Sequence, residues 1–312
     1  IQSPGMAAVK FKEYSLWCVY ERIRMYRYYF KLANLVIQIN APFVIEKFYE
    51  MEIYRIEYAE KINAQYTIEM FPENWKIEGK LLFDDRKSKI YETKETIQRY
   101  FFWSVHTEKK YVMLSYSKKD FSLFKIYLQK EYKDELLREF HISGMLAMEL
   151  VFIINQGFQL HASVINWKDK GILFSAPSGT GKSTQADLWK KYEGAKVING
   201  DRALIRKEKG EFTVYGSPYA GTSKIYTNFS APIKAIVILD QGKENKIKRL
   251  GVKDAFVRLY SESTVNAWNQ EYVIRFLDLL QDLIENVPVY HLSCRPDQDA
   301  VNTVKNEILK EL

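Results

Sequence analysis

Cysteine is nearly absent. Cys18 and Cys294 are the only two in 312 residues, too few for a disulfide framework. Such use fits a reducing compartment, and the expected location is the cytoplasm. Glycine (14) and proline (8) are too scarce for a collagen repeat or for long flexible linkers. Long apolar runs are missing as well. The longest, Met145 to Ile154, is too short to cross a bilayer and is broken by Glu149. The first 25 residues mix charges with aromatics and hold no apolar segment followed by a small-residue cleavage site. Neither a secretory signal nor a membrane partner is therefore expected. No His or Cys pair has metal-ligand spacing, so no zinc site is expected.

Basic clusters are lacking too. Lys and Arg outnumber Asp and Glu by 46 to 39, a net charge of +7, but no basic run exceeds two residues. Nucleic-acid-binding chains concentrate their charge, so no nucleic-acid partner is expected. An evenly solvated basic surface accounts for the excess, and an anionic nucleotide is enough to use it. What the chain does have is aromatic bulk. With 22 Tyr, 18 Phe and 47% apolar residues, it has ample material for a core.

Two textures divide the chain. Residues from about 30 to 117 read as short strands. Tyr54, Ile56 and Tyr58 alternate with Arg55 and Glu57, and Tyr66, Ile68 and Met70 alternate with Thr67 and Glu69. Leu81–Phe83 and Ile90–Tyr91 flank Asp84-Asp85-Arg86-Lys87, the pattern of a hairpin. Lys110 to Tyr116 reads as a last strand. The expectation is an antiparallel, β-rich N-terminal domain over residues 1–120. From Phe121 to Asn155 the apolar spacing (Phe124, Tyr127, Leu128, Leu136, Leu137, Phe140, Leu146) reads as helical. Strand–loop–helix alternation follows, the mark of an α/β domain over 121–312. Strands are expected at Gln159–Ile165, Gly171–Ser175, Lys196–Ile198, Ala203–Arg206, Phe212–Tyr215, Ala235–Leu239 and Val289–Leu292. Helices are expected at Lys182–Tyr192, Val252–Tyr260, Ala267–Glu285 and Gln298–Leu312, the last capped by Asp297.

The informative stretch is Ala176-Pro177-Ser178-Gly179-Thr180-Gly181-Lys182-Ser183-Thr184. It follows the buried-strand signal Ile172-Leu173-Phe174 and precedes a helical face containing Ala186, Leu188, Trp189 and Tyr192. Strand, glycine-rich loop and helix make a P-loop. Ala176 stands where the pattern has its first glycine. Gly179 and Gly181 let successive N–H groups turn inward as an anion nest, and the helix adds its positive end. Ser178 to Thr184 are thus the candidate ATP or GTP phosphate-binding residues. Lys182 reaches the β- and γ-phosphates, and the Ser183 hydroxyl is a candidate Mg²⁺ ligand.

A phosphate loop needs an acid nearby. Asp201 closes Val197-Ile198-Asn199-Gly200-Asp201, where a Walker B-type carboxylate would lie, for Mg²⁺ or for a hydroxyl proton. The same Asn-Gly-Asp also reads as a turn. His161 lies on the strand before the P-loop strand, and hairpin pairing would bring it beside the loop, for acid–base work or as a structural residue. Tyr215 to Lys224, with two glycines and a proline, reads either as a loop facing the site, with Lys224 steadying a phosphate, or as a surface connection.

Together these residues resemble the HPr kinase/phosphorylase family, whose kinase fold is related to phosphoenolpyruvate carboxykinase. The resemblance covers roughly residues 155–312 and rests on His161, the turn at Trp167 to Lys170, Pro177 to Ser183, and Asn199-Gly200-Asp201. The likeness is greatest to the short relatives that phosphorylate serine in peptides, such as lasso peptide kinases. It implies an α/β P-loop kinase domain behind the β-rich one, with ATP and Mg²⁺ as cofactors. It also implies catalytic roles for Asp201, His161 and Lys182, metal contacts from Ser183 and Asp201, and a serine-bearing peptide or protein acceptor, with room for a homo-oligomer. The family has two adjacent acids where this chain has Gly200-Asp201, and its phosphorylase signature is missing. Two other classes stay open. One is a nucleotide-binding regulatory or scaffold protein without transfer. The other is a small-molecule kinase, which would need clustered arginines for an anionic substrate.

Overall fold

The computed structural model describes residues 24–72, 75–85, 88–102, 110–118, 120–129, 133, 137 and 146–310. Cys18, Arg86, Lys87, Leu136, Phe140 and Met145 lie outside them. The chain is a mixed α/β protein with two sheets and few helices.

The first sheet contains β1 (Tyr26–Leu32), β2 (Leu35–Ala41), β3 (Arg55–Ile56), β4 (Ala64–Met70), β5 (Lys80–Asp84), β6 (Ser88–Glu92), β7 (Thr96–Phe102), β8 (Lys110–Ser117) and β9 (Leu123–Leu128). Their order is β3-β1-β2-β4-β9-β8-β7-β6-β5. Most neighbours are antiparallel, but β2–β4 and β4–β9 run parallel, so the sheet is not the purely antiparallel one expected. Two further expectations are corrected. Tyr54 closes a 3-10 helix, Tyr49–Tyr54, and only Arg55–Ile56 is strand. Residues 123–128, expected to be helical, form β9 in the middle of the sheet. Phe124, Ile126 and Leu128 point inward, while the outward face carries Leu123 and Tyr127 beside Lys125, and this apolar outer face masks the period of two.

The second sheet contains β10 (Gly157–Trp167), β11 (Lys170–Ser175), β12 (Lys196–Asn199), β13 (Arg202–Glu208), β14 (Glu211–Tyr215), β15 (Ser230–Gln241), β16 (Lys246–Arg249) and β17 (Val289–Cys294). The helices are α1 (Met148–Ile154), α2 (Lys182–Glu193), α3 (Val252–Ser261), α4 (Gln270–Asn286) and α5 (Gln298–Leu309). Asp297 caps α5, its side chain accepting from the Ala300 N–H at 3.1 Å. Strand order is β11-β10-β13-β14-β15-β17-β16, with β12 also on β10 and β11 also on β15. These pairings close a ring through β11, β10, β13, β14 and β15. Three strands, β11, β15 and β17, run parallel and end on the same side. The β10–β11 hairpin turns on Lys168 and Asp169, whose φ values of 50° and 59° match the primed turns that suit the strand twist.

Both faces of β11 are covered, as a central strand requires. Ile172 and Phe174 pack with Trp167, Trp189, Leu292, Val301 and Ile308 beneath α2 and α5. Leu173 faces a larger cluster holding Leu160, Ile236, Leu259, Phe276 and Leu280, which continues into Phe30, Ile37, Tyr66 and Phe124 of the first sheet. Polar links cross the same boundary. The Arg206 guanidinium donates to the Ala33 carbonyl at 2.5 Å, and the Tyr54 hydroxyl donates to the Thr227 carbonyl at 2.9 Å. Arg99 of β7 pairs with Glu149 of α1 at 2.8 Å, with only 7% and 5% of their side chains exposed. Removing one member of a buried pair strands the other charge. Arg99→Met should therefore cost about 3–5 kcal/mol in urea unfolding, and adding Glu149→Leu should recover most of it. A single variant as stable as the parent would show that water already reaches the pair.

Candidate functional site

Strand β11 delivers the chain to Ala176 at the point where the three parallel strands end. Gly179 and Gly181 have φ of 81° and 121°, a region closed to most side chains, while Ala176 keeps a negative φ. This explains why alanine serves at the first position of the pattern and glycine is needed at the other two. The first α-helical bond of α2 runs from the Gln185 N–H to the Gly181 carbonyl at 2.9 Å. The N–H groups of Lys182, Ser183 and Thr184 precede it, and among the described residues no side chain caps them. A helix start of this kind, behind two left-turning glycines, is a cradle for anionic oxygens.

Lys182 is folded under the loop. Its ammonium donates to the Ala176 carbonyl at 2.7 Å and to the Pro177 carbonyl at 3.2 Å. Burial pulls its pKa below the usual lysine range, against the opposing pull of Glu262 and Asp201.

His161 sits at the middle of β10, and both edges of β10 converge there. On one edge β12 and β13 run in succession antiparallel to β10, Asn199 opposite Val164 and Arg202 opposite His161. The run is interrupted at Gly200-Asp201. The Asp201 carbonyl accepts from the Ala162 N–H at 2.9 Å, and the Gly200 carbonyl accepts from the Ser163 hydroxyl at 2.9 Å. Asn199, fully buried, braces the break: its Oδ1 accepts from the N–H groups of Asp201 and Arg202 at 2.9 and 2.8 Å. Asn-Gly-Asp is thus a turn, but one within a strand path rather than in a hairpin, and it sets the Asp201 carboxylate 3.3 Å from His161 Nε2. On the other edge the His161 N–H donates to the Glu262 carbonyl at 2.8 Å, and Glu262 Oε2 lies 3.0 Å from His161 Nδ1. The result is a row of acid, histidine and acid. The His161 hydrogen bond, with help from Arg202 and Lys182, holds the Asp201 carboxyl below the usual carboxylate range despite its partial burial.

The segment after β14 closes over this row. Gly221 packs on Asp201, where an added Cβ would come within 2.7 Å of the carboxyl carbon. Gly200 faces Ser223, and an added Cβ would meet Ser223 Oγ at 1.9 Å. The position where the resembled family has a second acid therefore has no room for any side chain here.

One cleft of about 240 Å³ is lined by His161, Ser178, Gly179, Gly181, Lys182, Ser183, Thr184, Gly200, Asp201 and Thr222. It brings together the sequence candidates from Ser178 to Thr184 with Asp201 and His161, except Thr180, which lines a neighbouring cleft. Lys224 lines neither. Thr222 lies in the segment from Tyr215 to Lys224, weighed above as a loop facing the site, whereas Glu262 escaped the sequence reading because it lies in no motif. Only the pairing of residues 262–264 with β10 places Glu262. Among the described residues no cluster of three His, Cys, Asp or Glu could ligate a metal alone. One carboxylate and one hydroxyl beside a phosphate cradle suit Mg²⁺, which keeps waters and takes phosphate oxygens. Asp201 and Ser183 are the two residues that could hold it.

Two outcomes are expected. Gly200→Ala should lower stability by about 1–3 kcal/mol, and Ser223→Gly in the same chain should restore it. A depressed carboxyl contributes stability above the ordinary carboxylate range and loses it as pH falls through the folded-state value. His161→Ala should therefore raise the Asp201 midpoint in a carboxyl-carbon NMR titration and weaken the acid dependence of unfolding below about pH 4.

Comparison with known proteins adds three findings. No match was found among curated proteins. Among solved structures, the Hpr(Ser) kinase/phosphatase from Coxiella burnetii aligns with 12% identity and a TM-score of 0.30, over 49% of this chain and 92% of that one. The profile of the family described as SynChlorMet cassette protein ScmC matches residues 128–297. That span exceeds half of the sequence and contains the whole glycine-rich loop, His161, Asp201 and Glu262, and the chain belongs to the ScmC family.

Proposed function

We propose that the chain is an ATP-dependent kinase acting on a hydroxyl, a serine of a peptide or protein. The observation that carries this is that Asp201 and His161, the latter anchored from behind by Glu262, line one cleft with a glycine-rich loop. A phosphate loop serves any nucleotide-binding protein, but a charged carboxylate at the edge of the same cleft is what a hydroxyl acceptor needs. The sequence resemblance to short peptide-serine kinases supports the choice of acceptor.

In this reading the loop amides and Lys182 bind the phosphates of ATP and take up charge as the γ-phosphoryl group moves. Lys182 must exchange its hold on the Ala176 and Pro177 carbonyls for phosphate oxygens. Asp201 orients the acceptor hydroxyl and takes its proton. The oxygen–phosphorus bond to the acceptor forms while the bond to the bridging β–γ oxygen breaks, and ADP leaves. His161, anchored by Glu262, holds the Asp201 carboxylate in place and in its charged form. Ser183 and Asp201 would hold Mg²⁺, which supplies charge neutralisation at the phosphates when bound. Strand β5, an outer strand among the described residues, is solvent-exposed over most of its length and would accept an extended peptide as a further strand.

A second reading, nucleotide binding without transfer, is favoured by Gly200, since the site holds one acid where the resembled family holds two. Transfer of label from γ-labelled ATP to serine-containing peptides separates the two. The kinase reading expects labelled peptide from the parent chain and losses of roughly 10²–10⁴ for Lys182→Ala and Asp201→Asn. ATP binding with no label on any peptide would establish the second.

A further inference from the structure

A second cleft lies on the other side of the phosphate loop. Its volume is about 400 Å³, within the range of small-molecule sites. It shares Gly179, Gly181 and Thr184 with the phosphate cleft, so the two meet at the loop. Its far wall is made where β15 and β17 end, at Leu239, Gln241, Cys294, Arg295 and Pro296. Ligands of parallel α/β sheets settle at such strand ends.

Thr180, Gly242 and Gln185 complete the wall, and Gln185, one turn into α2, has only 2% of its surface exposed. Its Nε2 donates to Cys294 Sγ at 3.3 Å. Its Oε1 is buried and finds no donor among the described residues. A buried carboxamide oxygen without a donor is costly, and a ligand that brings an N–H group removes the cost. The surroundings suit a flat heterocycle. Leu239 and Pro296 are apolar, and the Arg295 guanidinium is steadied by Asp297, with Nε 3.0 Å from Oδ2, as a plane that can stack on a ring.

We infer that this second cleft holds the nucleoside half of the nucleotide and that Gln185 selects a 6-aminopurine over a 6-oxopurine. The inference rests on the reading of Ser178 to Thr184 as a nucleoside triphosphate site. An amino group at the purine 6-position donates to Oε1. A carbonyl at that position would set two acceptors against each other, which is the kind of mismatch that discriminates strongly.

Equilibrium binding of ATP, GTP and inorganic tripolyphosphate to the full chain tests it without any acceptor. The parent chain should bind ATP about tenfold or more tighter than GTP or tripolyphosphate. Gln185→Met, close in size but without the acceptor, should weaken ATP about tenfold and leave tripolyphosphate unchanged. Because Gln185 is buried, Arg295→Ala at the surface gives a second test, and it should weaken ATP and GTP but not tripolyphosphate. In a Cys18→Ser background, ATP should slow alkylation of Cys294 and tripolyphosphate should not. Equal affinity for ATP and tripolyphosphate, with no protection of Cys294, would overturn the inference and leave the phosphate site standing. Binding of neither would remove the phosphate site and this inference with it.

Discussion

Hydrogen bonding to both edges of β10 at the level of His161 brings Asp201, Glu262 and the glycine-rich loop together around that histidine. One edge carries the interrupted path of β12 and β13, and the interruption presents Asp201. The other carries β11 next to residues 262–264, and these present the glycine-rich loop and Glu262. Backbone bonds are therefore the ruler that sets side-chain distances here. A slip of one residue in either pairing would turn His161 to the opposite face and dissolve the row.

The first sheet takes part in this ruler through its buried charges. Segment 262–269 carries Glu262 at its start. Farther along, Thr264 Oγ1 accepts from Arg202 at 3.1 Å, and Asn266 Nδ2 donates to Glu149 at 2.9 Å. Glu149 is the partner of Arg99 in β7, and Arg99 lies over the Trp268 ring at 5.6 Å. The position of Glu262 thus traces back, over the Asn266–Glu149 and Glu149–Arg99 contacts, to a strand far away in sequence. Such a network is rigid only while every member is satisfied.

What was legible in the sequence was local. The glycine-rich loop announces itself because Gly179 and Gly181 need positive φ and because a lysine in that place has no use in a plain turn. The helices α2 to α5 follow from apolar period, and the cap of α5 from Asp297. Strand β9 was not legible, because Phe124 and Leu128 sit four apart and fit a helix as well as a strand. Glu262 was not legible because no neighbour in sequence marks it. Gly200 could be read as a missing acid, but not as a position that Ser223 closes to any side chain.

By itself the sequence determined which backbone segments can turn, which can cap, and which residue types are available to meet a phosphate. These depend on φ preferences and periodicity, which act over a few residues. Only the tertiary structure decided that Asp201 and Glu262 flank one histidine, that Lys182 lies under its own loop, and that Gln185 keeps an oxygen with no donor among the described residues beside a second cleft. Those facts depend on strand register and on packing between segments distant in sequence, where neither propensity nor spacing carries information.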